Sequence, residues 1–159
     1  ILENCNVVKF VNKINNKFLT LFFILIIIQI IFGALLAGLN GGLLFNSWPD
    51  MNGKFFPDDA LYKDLFNANS LNNPSVVQFY HRLIGYFLVI FLVLLNYFYY
   101  ILNLELKSIL IFNISIIFQI ILGILTLLTG VKIYYASLHQ LGSVFVLTSF
   151  IYIYYKNTN

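Results

Sequence analysis

The sequence predicts an all-α fold: a four-helix transmembrane bundle made of two pseudo-repeated helical hairpins. Of the 159 residues, 60 % are apolar and only 9 % are charged, which is far more apolar surface than one soluble core needs. Four apolar runs each reach the roughly 20 residues that a helix needs to cross about 30 Å of hydrocarbon. A short motif in the first run is repeated in the third, which predicts the pairing into hairpins.

Residues 1–17 are predicted to be an inner-side linker from a missing N-terminal half, because the chain begins with Ile rather than Met. Residues 18–159 are expected to form the four-span unit, and its first span covers about 18–39. Lys9, Lys13 and Lys17 precede this span and favour the cytoplasmic or matrix side. A signal peptide is the alternative, but the apolar run exceeds the usual core of about 7–15 residues in such signals.

The outer loop is predicted at 40–75, where the composition changes to Gly, Asn, Asp and Pro with aromatic islands. It is long enough to fold over a site rather than only connect two helices. Its four aspartates, Asp50, Asp58, Asp59 and Asp64, suggest acid–base chemistry, but we favour solvated loop charge. Ser75 is expected to be the N-cap of the second span.

The remaining spans are expected at about 76–102, 108–129 and 134–155. The link between the second and third spans is short and carries Lys107 on the inner side, and Lys156 follows the last span on that side. Basic residues therefore number five inside and four outside, which gives a slight bias toward this orientation.

The net charge of +3 comes from residues at segment ends, so it indicates contact with lipid headgroups and gives no support for a nucleic-acid partner. Cys5 is the only cysteine, which excludes an internal disulfide and a Cys-x-x-Cys site for zinc or thiol redox chemistry. Glycine motifs for nucleotides and nucleophile elbows do not occur.

The repeated motif is Gln-Ile-Ile-Phe-Gly at 29–33 and Gln-Ile-Ile-Leu-Gly at 119–123. Each copy is followed by a helix with a histidine near its outer end. Repeats of parallel topology are related by an axis along the membrane normal, which places corresponding residues at equal depth. His81 and His139, the only histidines, are therefore expected to face one another.

Two opposed imidazoles in a helical bundle provide the axial geometry that a low-spin heme iron accepts. His81 and His139 are the candidate iron ligands, and Arg82 is a candidate partner for a heme propionate. Catalytic residues are unknown. The alternatives are interfacial or interhelical hydrogen bonding for the histidines, lipid phosphate for Arg82, and interhelical bonding for Gln29 and Gln119.

At these residues the sequence resembles the heme A synthase family of cytochrome oxidase assembly, in its alphaproteobacterial and mitochondrial branch. Several separated motifs in one order carry the resemblance: GALLAGL at 33–39, NSWP at 46–49, VQFYHR at 77–82, LGILTLL at 122–128 and HQLGS at 139–143. The resemblance covers nearly the whole chain from about Lys17 onward.

The resemblance implies that the complete protein has eight spans in two pseudo-symmetric halves and oxidises a methyl group of heme O to the formyl group of heme A. This chain is similar to the second, C-terminal half, whose heme b lies between the histidines that map onto His81 and His139. The missing half would hold heme O and an essential carboxylate.

The implied location is multi-pass in a bacterial plasma membrane or a mitochondrial inner membrane. The implied partners are heme O through the missing half, membrane lipid and an electron donor such as a ferredoxin system. A homo-oligomer is left open.

Two other functions fit the same residues. A bis-histidine b-type membrane cytochrome would carry electrons without altering a substrate, and it would have the same low-spin spectrum. A purely structural bundle would bind no heme.

Overall fold

The computed structural model describes residues 13–67 and 69–159, so Lys9 and Cys5 lie outside the described residues. Four long helices dominate the described chain: α1 Asn16–Gly38, α2 Pro74–Ile101, α3 Leu106–Leu128 and α4 Ile133–Thr158. All four are long and apolar enough to cross a membrane. The predicted all-α class and the four spanning helices are confirmed, and the protein is a multi-pass integral membrane protein.

The helices form two antiparallel hairpins. The loop between α1 and α2 defines the end of the bundle that we call the outer end, and α3 and α4 also meet there. Helix α1 packs mainly on α2 and α3 mainly on α4, while α1 also touches α4 and α2 touches α3. This ring of neighbours places α2 and α4 at diagonal corners of the bundle.

The first turn of α2 is capped by Asn73 rather than by the predicted Ser75. The Asn73 side chain accepts hydrogen bonds from the backbone N–H groups of Ser75 and Val76 at 3.0 and 3.4 Å. Pro74 occupies the first helical position, where its missing N–H costs nothing and its fixed φ suits the helix. The Ser75 hydroxyl instead donates to Asp59 in the outer loop at 2.6 Å.

Buried apolar packing is concentrated in the inner half of the bundle. Phe22, Phe112 and Phe150 are fully buried, and their rings contact one another with centroid separations of 4.9–5.6 Å. Leu95 and Ile153 close the same cluster from α2 and α4. All four helices therefore contribute to one aromatic core near the inner end.

The outer half is packed differently. In residues 27–38 of α1 and 80–94 of α2, no residue is buried as a whole, although single polar atoms of Gln29 and His81 are buried. Leu122 is the only buried residue of 117–128 in α3, and Gly142 is the only one of 133–145 in α4. Buried packing is therefore sparse at the level of both histidines, between the aromatic core and the buried outermost turns of α2 at 75–79.

Polar side chains fix the helices to one another away from that region. Asn96 of α2 and Asn113 of α3 exchange two side-chain hydrogen bonds of 3.0 and 2.7 Å. Asn157 near the end of α4 accepts from the Ile14 N–H at 2.8 Å and donates to the Ile14 carbonyl at 3.0 Å. These bonds set the register of the two hairpins, since satisfied amide pairs are favourable in an apolar environment.

Candidate functional site

The two histidines lie at similar depths near the outer end. His81 is seven residues beyond Pro74, and His139 is six residues beyond Ile133. At about 1.5 Å per residue, both lie roughly 9–11 Å inside their helices. Because α2 and α4 occupy diagonal corners, the histidines belong to helices that face each other across the bundle.

In the first hairpin, the His81 ring contacts two residues of α1. Its Nε2 lies 3.3 Å from Nε2 of the Gln29 amide. A Cβ atom at Gly33 would lie 3.1 Å from Cε1 of the ring, so the absence of a side chain there makes room for the imidazole. Gln29 and Gly33 are four residues apart and therefore share one face of α1.

In the second hairpin, the His139 ring lies against the matching residues of α3. Its Nδ1 is 3.1 Å from the main-chain oxygen of Gln119, and the Gln119 side chain donates to the His139 carbonyl at 2.7 Å. A Cβ atom at Gly123 would lie 2.9 Å from Cε1 of the ring. A carbonyl oxygen only accepts, so Nδ1 carries the proton, and in neutral His139 Nε2 keeps a free lone pair.

Unsatisfied polar atoms concentrate in this region. Within the described residues, four buried side-chain polar atoms have no hydrogen-bond partner, and three of them belong to Gln29 (Oε1), His81 (Nδ1) and Gln119 (Oε1). Buried polar groups are nearly always paired, so such a group of orphans needs an explanation. They mark a region of incomplete polar pairing beside both histidine rings.

The donor set suits a heme better than a bare metal ion. No three His, Cys, Asp or Glu side chains cluster in the part of the chain that the structure describes. Two neutral imidazoles on diagonal helices, at a level of the bundle with few buried residues, fit a bis-histidine heme, because the porphyrin supplies the other four iron ligands. The residues present therefore fit the group.

Residues 9–151 match the profile of the COX15-CtaA family, described as "Cytochrome oxidase assembly protein". The chain belongs to this family. The match covers α1 to α3 and most of α4, and it includes both histidines.

Curated relatives of the family are named Heme A synthase. The protein of Pelagibacter ubique is 52 % identical over all 159 residues, which is 47 % of that relative's length. Those of Wolbachia pipientis wMel and Rickettsia conorii are 39 % and 40 % identical over 129 and 131 residues, which is 81 % and 80 % of this chain and 36 % and 38 % of theirs. The chain spans about half the length of the curated relatives it matches. No solved structure gives a significant match.

Arg82 is anchored to the outer loop in this family member. Its guanidinium donates to the carbonyls of Phe45, Ser47 and Asp50 at 2.7, 3.0 and 2.5 Å. Gln78 and Tyr86, one turn to either side, donate to the carbonyls of Phe45 and Pro49 at 3.0 and 2.8 Å. This row on α2 holds 45–50 against the outer turns of the helix. The contact of Arg82 with a heme propionate stays a prediction.

We expect Arg82→Gln to loosen the loop more than Tyr86→Phe does. The first change removes hydrogen bonds from a charged donor, each worth about 1.5–3 kcal/mol, whereas the second removes one neutral bond worth about 1 kcal/mol. Amide hydrogen exchange over 45–54 should rise strongly in Arg82→Gln and slightly in Tyr86→Phe. Equal exchange in the two variants would show that the guanidinium does not hold the loop.

The outer-loop aspartates have structural partners. Asp50 accepts from the Gly53 N–H at 3.0 Å, and this bond, with help from Ser47, lowers the pKa of Asp50 below its ordinary value. Asp64 accepts from the Leu61 N–H at 2.8 Å, and Asp58 pairs with Lys54 at 3.8 Å on the surface. Asp59 accepts a hydrogen bond from the Ser75 hydroxyl at the start of α2. These contacts favour a role in loop structure over acid–base chemistry.

Sequence reasoning treated Gln29 and Gln119 only as interhelical bonding residues. Both do bond between helices, but each does so at a histidine. The signal was present in the repeated motif, since each glutamine precedes the glycine that makes room for a ring. The motif does not show how each helix is rotated about its own axis. That rotation decides whether the face with the glutamine and the glycine contacts the histidine.

Proposed function

We propose that the chain is the heme b-binding, C-terminal half of a heme A synthase, with His81 and His139 as the axial ligands of the iron. The observation that carries this proposal is the matched position of the two imidazoles. Each ring lies over the glycine of its own hairpin at the same level of the bundle, next to buried polar atoms that lack partners.

In this proposal the residues of the chain bind and orient the group. The main-chain oxygen of Gln119 fixes the His139 tautomer, so that Nε2 is free for the iron. Gly33 and Gly123 leave room for the rings, and the outer loop covers the end of the bundle where Arg82 holds it. Bound heme b would supply a one-electron redox centre at this position.

The complete protein would oxidise the methyl group of heme O to the formyl group of heme A. The support is the name Heme A synthase carried by relatives that match the whole chain or most of it. Heme O would bind in the other half, and electrons would come from a donor such as a ferredoxin system. The chemistry would therefore take place outside this chain.

An electron-carrying cytochrome is the second candidate. It needs the same two histidine ligands and no acid or base beside them, and the loop aspartates are engaged in structural contacts instead. In that case the chain would have a heme b but no part in converting heme O.

A chimera separates the two functions. The first half of the Pelagibacter ubique relative is joined to this chain and produced in a bacterial host whose own heme A synthase gene is deleted. We expect a low-spin b-type spectrum and the appearance of heme A in extracted membranes, measured by chromatography. The matched control is the same chimera with His81→Ala and His139→Ala.

Heme A formed by the chimera but not by its control supports the synthase. A b-type spectrum without heme A favours the electron carrier. A chimera that reaches the membrane at normal levels without any b-type band contradicts both functions.

A further inference from the structure

We propose that Gln29 is a positioning residue for His81: its side-chain oxygen accepts the Nδ1 proton of the imidazole whose Nε2 binds the heme iron. The inference rests on the proposed heme b site. It gives a function to a buried amide that heme ligation alone leaves unexplained.

The second hairpin already shows the arrangement that we infer for the first. There, Nδ1 of His139 donates to an oxygen of Gln119 at 3.1 Å, and the opposite ring nitrogen is left for a ligand. Metal-binding histidines usually donate their other N–H in this way, which fixes the ring orientation and raises the basicity of the ligating nitrogen. The acceptor in this hairpin is the main-chain oxygen, not the Gln119 side chain.

The first hairpin also has an acceptor oxygen and a histidine Nδ1, here on the glutamine side chain, but it does not pair them. Gln29 Oε1 is a buried acceptor without a donor, and His81 Nδ1 is a buried ring nitrogen without a partner. The two residues already touch through their Nε2 atoms at 3.3 Å. Reorienting the amide and the ring joins both orphans in one hydrogen bond, and it frees His81 Nε2 from the Gln29 contact.

The position of the amide favours this role. Gln29 points toward α2, where a Cβ atom at Gly85 would lie 3.5 Å from its Nε2. Gly85 is one turn beyond His81, so the amide lies beside the helix that carries the ring. The side chain is therefore already directed at the histidine and needs only torsional changes to pair with Nδ1.

The consequence is electronic as well as geometric. An acceptor on Nδ1 makes the imidazole a stronger donor to iron, which stabilises ferric over ferrous heme. Removing the acceptor on one of the two ligands should therefore raise the midpoint potential. Loss of a supporting partner costs at least about tenfold in metal affinity, and a tenfold loss carried by the ferric state alone corresponds to about 59 mV for a one-electron couple.

The test compares Gln29→Leu with Gln119→Leu in the 159-residue chain, produced in membranes and purified in detergent with its heme. The two glutamines occupy matching positions in the repeat, so both changes remove a buried amide of the same size. Only the first removes a side-chain acceptor for a ring Nδ1, because His139 keeps its main-chain acceptor. Gln29→Glu restores an acceptor oxygen at the tested position.

We expect the midpoint potential to rise by about 59 mV in Gln29→Leu, to rise much less in Gln119→Leu, and to return to or below the parent value in Gln29→Glu. Equal potentials in the two leucine variants, with heme and its low-spin spectrum retained, overturn the role of Gln29 but leave the heme site standing. Absence of heme from the parent chain overturns the proposed function itself, which is a different result.

Discussion

His139→Ala and His81→Ala are each expected to abolish the low-spin b-type spectrum of the chain. With one imidazole gone, the iron loses an axial ligand from a diagonal corner of the bundle, and no other histidine exists to replace it. Changes to residues that merely support a ligand already cost about 10–100-fold in metal affinity, so losing a ligand should cost more than about 100-fold. Reduced-minus-oxidised spectra and the heme content of purified protein measure the loss.

Gln140→Ala is the matched control, because Gln140 is the exposed neighbour of His139 on the same helix and should leave the spectrum intact. Added imidazole should restore the low-spin band in the alanine variants by filling the place of the missing ring. A full b-type band in both single variants would exclude these histidines as ligands.

Gly123→Ala should lower heme occupancy about tenfold while the helices still form. The new Cβ atom would lie 2.9 Å from His139 Cε1, a separation that forces one of the two to move. Without heme, the end of the imidazole can move aside at little cost. A ring held by both iron and the Gln119 oxygen could not move aside. The change should therefore lower heme affinity, by about the 10–100-fold that is typical for residues that support a metal ligand.

Gly38→Ala provides the comparison, since a Cβ atom there meets nothing within 4 Å. It also replaces glycine by a better helix former, which should change the stability of α1 by at most about 1 kcal/mol in the favourable direction. Circular dichroism should give the same helix content for both variants, and heme titration should separate them. Equal heme affinity would show that the close approach at Gly123 has no part in binding.

The sequence predicted the bundle because the thickness of the bilayer fixes the length of a spanning helix, and four apolar runs have that length. In hydrocarbon, such a run satisfies its own backbone hydrogen bonds by forming a helix. The depth of the histidines followed from the repeat. A helix rises by a constant amount per residue, so His81 and His139 had to lie at one level once their helices started at the same end.

The polar contacts at the site could not be predicted in this way. The row of Arg82 with its neighbours depends on where a long loop places its carbonyls, and no local pattern in 45–50 encodes that. The sequence predicts a cap at Ser75, but Pro74 takes the first helical position, so the cap is the residue before it, two positions earlier. These features arise from contacts between distant residues.

The uneven packing of the bundle bears on how the protein matures. The aromatic core around Phe22, Phe112 and Phe150 needs no cofactor, so the two hairpins can insert and dock before any porphyrin arrives. In the proposed function, heme would then bind at the sparsely packed level of the histidines after the hairpins have docked, and the outer loop would have to give way for it to enter. The apoprotein would therefore be folded and stable before its prosthetic group binds.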